Sequence, residues 1–317
     1  MRWPLFPTGS HMRRTLLVVL LVFTSSASAI VIRHDVDDSN YRVPACEFPA
    51  LADMPGEAHG VLIAPTWIVT AAHTITGSVE EVTLNGVRRK VEGVIVHPGY
   101  RNLPETLIRQ ALKSGDASKA MKFQTSNKYI ALVKLVEPVT DVAPAILYQG
   151  RDEPGKLVKL MGKGATGNGA NGENPYSPHR TDLRRAFNKI TSADGGWLGY
   201  VFDADASAHG FEGTGGSGDS GGPVLIEVNG QWQLAGLAAW KLVEGNAAAF
   251  RPGSYGQTSY NVRLSSYTEW IEAVMSSESK DETVGKRGRL DCPAFHSDLV
   301  SPDPVFRRPL VFVTPRA

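Results

Sequence analysis

The segment GTGGSGDSGGPV, residues 213–224, sets Ser220 among glycines and runs directly into an apolar stretch. A serine can serve as a nucleophile when backbone N–H groups beside it are aimed at the oxyanion that forms on attack. Gly218, Gly221 and Gly222 let a carbonyl group approach and allow backbone angles closed to other residues. A flexible linker would have no use for an Asp-Ser pair followed at once by a strand. Asp219, next to the serine, can steady the loop by pairing with a buried cation. Far upstream, TAAH (residues 70–73) places His73 directly after an apolar run that ends at Val69. A lone histidine at a strand end is usually structural. Together with this serine it is a candidate general base, because imidazole titrates near neutral pH and can take the serine proton.

The elements that must position these two residues read mainly as strands and turns. Thirty-two glycines and 20 prolines punctuate many short segments, which favours β-structure over long helices. Strand-like apolar runs occupy residues 61–69 (broken by Pro65), 91–96 and 130–135, and again 157–161, 224–228 and 234–240. Residues 104–122 have the periodicity of a short helix and a loop, and the Gly-, Asn- and Pro-rich residues 163–181 read as a long surface loop. Tyr267, Trp270, Ile271, Val274 and Met275 recur at helical spacing and predict a closing helix of about three turns. The 317 residues suffice for one long all-β domain or two smaller ones. The net charge is +1, from 33 basic and 32 acidic residues without a basic stripe, so nothing points to nucleic acid as a partner.

Arg13 and Arg14, the apolar residues 15–23 and the small-x-small Ala27-Ser28-Ala29 read as a cleavable export signal over residues 1–29. The apolar run is too short to anchor the chain in a bilayer, which takes about 20 residues, so no membrane association is expected once the signal is removed. Residues 1–11 fit poorly before such a signal: GSHM (9–12) resembles a cloning remnant, or Met12 is the true start. In an exported chain the two cysteines, Cys46 and Cys292, read as a disulfide, with two free thiols as the alternative. Residues 279–317, polar and proline-rich, read as a C-terminal extension.

TAAH followed by GDSGGP resembles the chymotrypsin-like (trypsin-type) serine endopeptidases, in which the histidine also precedes the serine. HPGY (97–100) resembles the segment before that family's aspartate strand, IALVKL (130–135) the strand itself, and Trp270-Ile271 its C-terminal helix. The resemblance covers residues 30–278 and implies an all-β fold of two packed six-stranded antiparallel β-barrels with a C-terminal helix, the active site lying in the cleft between them. It implies His73 as base, Ser220 as nucleophile, and the N–H groups of Gly218 and Ser220 as oxyanion hole. Asp219 matches the residue that pairs with a newly freed N-terminal amine, and cleavage after Ala29 would expose Ile30-Val31, although Ile32-Arg33-His34 replaces the usual glycines. Ala239, Trp240 and Lys241 match the strand that binds substrate backbone, with Lys241 in place of a glycine and narrowing the pocket. Thr214 occupies the position that often sets primary specificity. With no carboxylate there, a preference for Lys or Arg gains no support from this residue, and Glu212 and Glu244 are the nearby acids that leave it open. The implied substrate is a polypeptide, the location secreted or periplasmic, and neither a metal nor an organic cofactor is required.

One position breaks the pattern. Immediately before IALVKL the family places the aspartate that orients the histidine, and this chain has Tyr129. A phenol is neutral at pH 7 and a weak acceptor. In the serine-protease template, neutralising that aspartate lowers kcat about 10⁴-fold. Three accounts follow: another acid such as Asp116 serves His73, the chain is a binding protein that keeps the fold without catalysis, or Tyr129 is a single substitution on an intact frame. The intact serine and histidine motifs favour the last, a serine endopeptidase with impaired turnover. In a lesser departure, His59 and Thr74 stand where the family closes its histidine loop with two cysteines.

Overall fold

The structure is a computed structural model and describes residues 30–174, 176–177, 182–205 and 208–285. A short strand β1 (Ile30–Ile32) precedes β2 (Leu51–Met54), β3 (Ala58–Ala64), β4 (Trp67–Ala71), β5 (Glu81–Leu84) and β6 (Val87–Val96). Helices α1 (Glu105–Ser114) and α2 (Ser118–Thr125) intervene before β7 (Ile130–Leu135). Then come β8 (Leu157–Gly162), β9 (Thr166–Asn168), β10 (Gly172–Glu173), β11 (Arg184–Asp194), β12 (Trp197–Val201) and β13 (Gly213–Thr214). The chain ends its described course with β14 (Pro223–Val228), β15 (Gln231–Lys241), β16 (Thr258–Arg263) and α3 (Thr268–Gly285).

Twelve of these strands form the two closed six-stranded antiparallel barrels that the resemblance implied, in the orders β2-β3-β4-β7-β6-β5 and β11-β12-β16-β15-β14-β8. Two hairpins have their turns written in the sequence. Asn85-Gly86 joins β5 to β6 and Asn229-Gly230 joins β14 to β15, and all four residues have the positive φ of a two-residue hairpin turn. Pro65 divides the run 61–69 into the β3–β4 hairpin. The main apolar core is continuous across both barrels, packing Leu62, Val69 and Leu132 of the first with Trp197, Leu225 and Val262 of the second, and Ile271 of α3 joins it.

Residues 163–181 differ from the surface loop expected of them. Strands β9 and β10 pair with each other, and β9 also pairs with β1, in a small sheet of order β10-β9-β1-β13. The glycines read as loop signals serve close backbone approach instead, since a Cβ on Gly167 would lie 2.1 Å from the Gly172 carbonyl oxygen. The stretch 104–122 holds two helices rather than one, because Gly115, at φ 77°, ends α1 in a left-handed cap and the chain re-enters a helix three residues later. Helix α3 carries the predicted apolar stripe and continues to Gly285, so the boundary drawn at 278 falls within it. The export signal and Cys292 lie outside the described residues. Cys46 is exposed. Among the described residues no helix is long and apolar enough to cross a membrane.

Candidate active site

Strand β4 delivers His73 in a single 3₁₀ turn, residues 72–74, at the wall of the cleft between the barrels. The turn is tied at both ends. Ala72 N–H donates to the Tyr129 carbonyl at 3.0 Å. Thr70 Oγ1 donates to the His59 carbonyl at 2.6 Å and lies 2.9 Å from Thr74 Oγ1. The threonine thus links by hydrogen bonds the two positions, His59 and Thr74, where the resembled family has a disulfide.

Ser220 sits on the loop between β13 and β14, and that loop docks on the first barrel. The Ser220 carbonyl accepts from His59 N–H at 2.8 Å, and Gly221 N–H donates to the Ala238 carbonyl at 2.8 Å. Only glycine fits next to the serine, because Gly221 has φ 77° and a Cβ there would meet the His59 oxygen at 2.0 Å. The buried Asp219 carboxylate accepts from the N–H groups of Gly164 at 2.7 Å and Gly216 at 2.8 Å, and His59 Nε2 lies 3.7 Å away. Burial pushes its pKa up to about 6 against those two hydrogen bonds. Among the described residues its partners are therefore backbone amides and a histidine rather than a lysine or arginine.

These supports bring His73 Nε2 to 2.8 Å from Ser220 Oγ. Gly218 takes φ 91°, and neither its N–H nor that of Ser220 donates to any group among the described residues. A nucleophile in contact with a base, beside two free amides, is the arrangement required for acyl transfer.

The far side of the imidazole is incomplete. His73 Nδ1 is buried without a hydrogen-bond partner. Tyr129 packs against the imidazole, its ring centroid 5.0 Å from that of His73 and tilted by 38°. Its hydroxyl receives Gln124 Nε2 at 3.3 Å, and its ring packs on Tyr100 and Trp197. Burial drives the phenol pKa up to about 12, so it stays neutral. Burial likewise lowers the pKa of His73 to about 4. Asp116 does not complete the set. It is exposed and turned toward the start of α2, accepting from Ser118 N–H at 2.8 Å.

The cleft holds a cavity of about 740 Å³ lined by His73, Ser220, Gly218 and Tyr129 together with Ala239, Trp240 and Lys241. Strand β15 pairs with β16 through Lys241, whereas β14 follows it only to Leu237, so its other edge faces the cleft at residues 239–241. Trp240 stacks on Tyr260 at 4.5 Å. Thr214 Oγ1 lies 2.8 Å from Ser259 Oγ. Neither Glu212 nor Glu244 lines the cavity. Glu212 is buried elsewhere, accepting from the N–H groups of Asp203 and His209. Glu173 does line it and accepts from Ser217 N–H at 2.8 Å. It was missed from the sequence because it lies in the stretch read as a loop. Gln124 was missed as well, since it lies just beyond the stretch 104–122 read as a short helix and a loop, and its only sequence signal is its closeness to Tyr129.

Two barrels with a serine–histidine pair at their junction define a class, the chymotrypsin-like serine proteases, and comparison with known proteins agrees. Residues 40–271 match the family model described as Trypsin. The chain is 26% identical over 228 residues to a tryptase of Mus musculus, spanning 67% of this chain and 76% of that one. It is 28% identical over 270 residues to a snake venom serine protease of Crotalus durissus durissus, spanning 83% and 94%. The fold is similar to that of neuropsin, a serine protease expressed in the limbic system of mouse brain, with a TM-score of 0.54 at 21% identity over 74% of this chain and 98% of that one. The chain belongs to the trypsin family.

Proposed function

We propose that the protein is an exported serine endopeptidase whose turnover is held down by Tyr129. The observation that carries the reading is the 2.8 Å contact between His73 Nε2 and Ser220 Oγ beside two unengaged amides. Ser220 Oγ attacks the carbonyl carbon of a peptide laid along residues 239–241 and passes its proton to His73 Nε2. The oxyanion is held by the N–H groups of Gly218 and Ser220. His73 then gives the proton to the leaving nitrogen as the C–N bond breaks, and water repeats the sequence on the ester. None of these steps calls for a metal or organic cofactor. Residues 30–278 are the catalytic unit, and the basic, apolar and small-residue pattern of residues 1–29 supports export. Ile30 lies buried at the start of β1, in a sheet with β13. That position supports the reading in which cleavage after Ala29 frees an amine to pair with Asp219, and sequencing the mature N-terminus tests it.

The second reading, a binding protein without useful turnover, rests on the unpartnered His73 Nδ1. Peptide-library hydrolysis by the native chain and by Tyr129→Asp separates the two. The first reading expects slow cleavage that rises by about 10³- to 10⁴-fold in the variant. Two folded but inert proteins would leave only the second.

A further inference from the structure

Lys241 is a cation inside the cleft that acyl transfer does not use. Its backbone pairs with Ser259 of β16, whose hydroxyl meets Thr214 Oγ1, and Thr214 leads directly into Gly215. The Lys241 ammonium closes this ring by donating to the Gly215 carbonyl. The side chain therefore crosses from one wall of the cavity to the other. An ammonium has three donors, and one is engaged here. No carboxylate lies within 4.0 Å of it among the described residues, as the ion pairs there involve other cations. Partial burial lowers its pKa, while Glu173 and Asp219 oppose the shift. Both carboxylates are committed to backbone amides, Glu173 to Ser217 and Asp219 to Gly164 and Gly216. The cavity is also lined by the hydroxyls of Ser259 and Tyr200 and the amide of Asn261, which can donate, and Thr214 lies behind Ser259.

We propose that Lys241 makes this a pocket for an acidic side chain, so that the residue preceding the cleaved bond is Glu or Asp. A carboxylate there takes the free ammonium donors as charge-assisted hydrogen bonds. A lysine or arginine would bring a second cation against the first without a floor carboxylate at Thr214. The inference rests on the reading of the cleft as a peptide site but not on turnover, so binding tests it separately. Ser220→Ala protein is titrated with acetyl-Ala-Ala-Glu-amide, acetyl-Ala-Ala-Ala-amide and acetyl-Ala-Ala-Lys-amide, following the fluorescence of Trp240 in the cavity wall and confirming by calorimetry. The expected order of affinity is Glu, then Ala, then Lys, with at least tenfold between the extremes. A further Lys241→Gln change removes the advantage of Glu over Ala. Tightest binding of the Lys or the Ala peptide, a Glu preference untouched by Lys241→Gln, or no binding of any peptide overturns the proposal. Glu-selective binding without hydrolysis by the Ser220 protein would keep the pocket and remove the protease reading.

Discussion

At His73 the proton inventory is one partner short. To accept the serine proton, Nε2 must present its lone pair, which puts the hydrogen on Nδ1, and Nδ1 has no acceptor. A buried donor left unpaired costs about 1–3 kcal/mol. The imidazolium formed during attack is held by no carboxylate. In the proposed mechanism both effects would slow the reaction, and both would trace to Tyr129. The ring's nitrogen chemistry is open to NMR. In the native chain the His73 resonances should titrate only near its pKa of about 4. In Tyr129→Asp a carboxylate beside Nδ1 stabilises the charged form and moves the midpoint upward. Since the neutral ring is the base, the acid limb of kcat/KM should move upward with it. Equal midpoints in the two proteins would mean that the introduced carboxylate does not reach Nδ1. The same substitution empties an aromatic site formed with Tyr100 and Trp197. It should lower unfolding stability by about 3 kcal/mol, read by urea denaturation, even as activity rises. The departure at this position was legible in the sequence, because the strand motif after it is intact. The empty hydrogen-bond position was not, since it depends on how a large ring settles against an imidazole.

At the scale of elements, the α1–α2 insertion does more than connect β6 to β7. Its neck is closed by Asn127, whose amide receives Arg101 N–H at 2.8 Å and donates to Arg101 O at 2.6 Å. Its body docks on the second barrel. Trp197 Nε1 donates to Thr125 O at 2.9 Å, and Ala247 N–H donates to Gly115 O at 2.8 Å. Met121, Ala111 and Ala120 pack on Val243 and Ala247. Met121→Ala should cost about 2 kcal/mol in urea denaturation, because the site is enclosed from two elements. A loss under 0.5 kcal/mol would mean the helices carry no such contact. The stretch was legible as helical from its spacing, but its docking was not, since Val243 and Ala247 lie in a segment (242–250) with no regular period. The strands β9 and β10 were hidden for a related reason. Two- and three-residue strands have no room for alternation, and their glycines read as turns.

For the molecule as a whole, the two barrels were readable from the order of the histidine and serine motifs, and the positive-φ Asn-Gly pairs mark two of their hairpins. The shared interior was not readable, because residues such as Val69 and Leu225 show only that they are apolar, not that they meet in one core. With that core continuous and the insertion fastened to the far barrel, the described unit should unfold in one calorimetric transition, its van't Hoff and calorimetric enthalpies equal. Two resolved transitions would show that the barrels are independent. The fastening has an evolutionary consequence too. Met121 packs in the insertion's anchoring cluster and also lines the cleft beside Trp240 and Lys241. A change there alters the durability of the protein and the shape of the cleft together, so selection cannot adjust one while leaving the other alone.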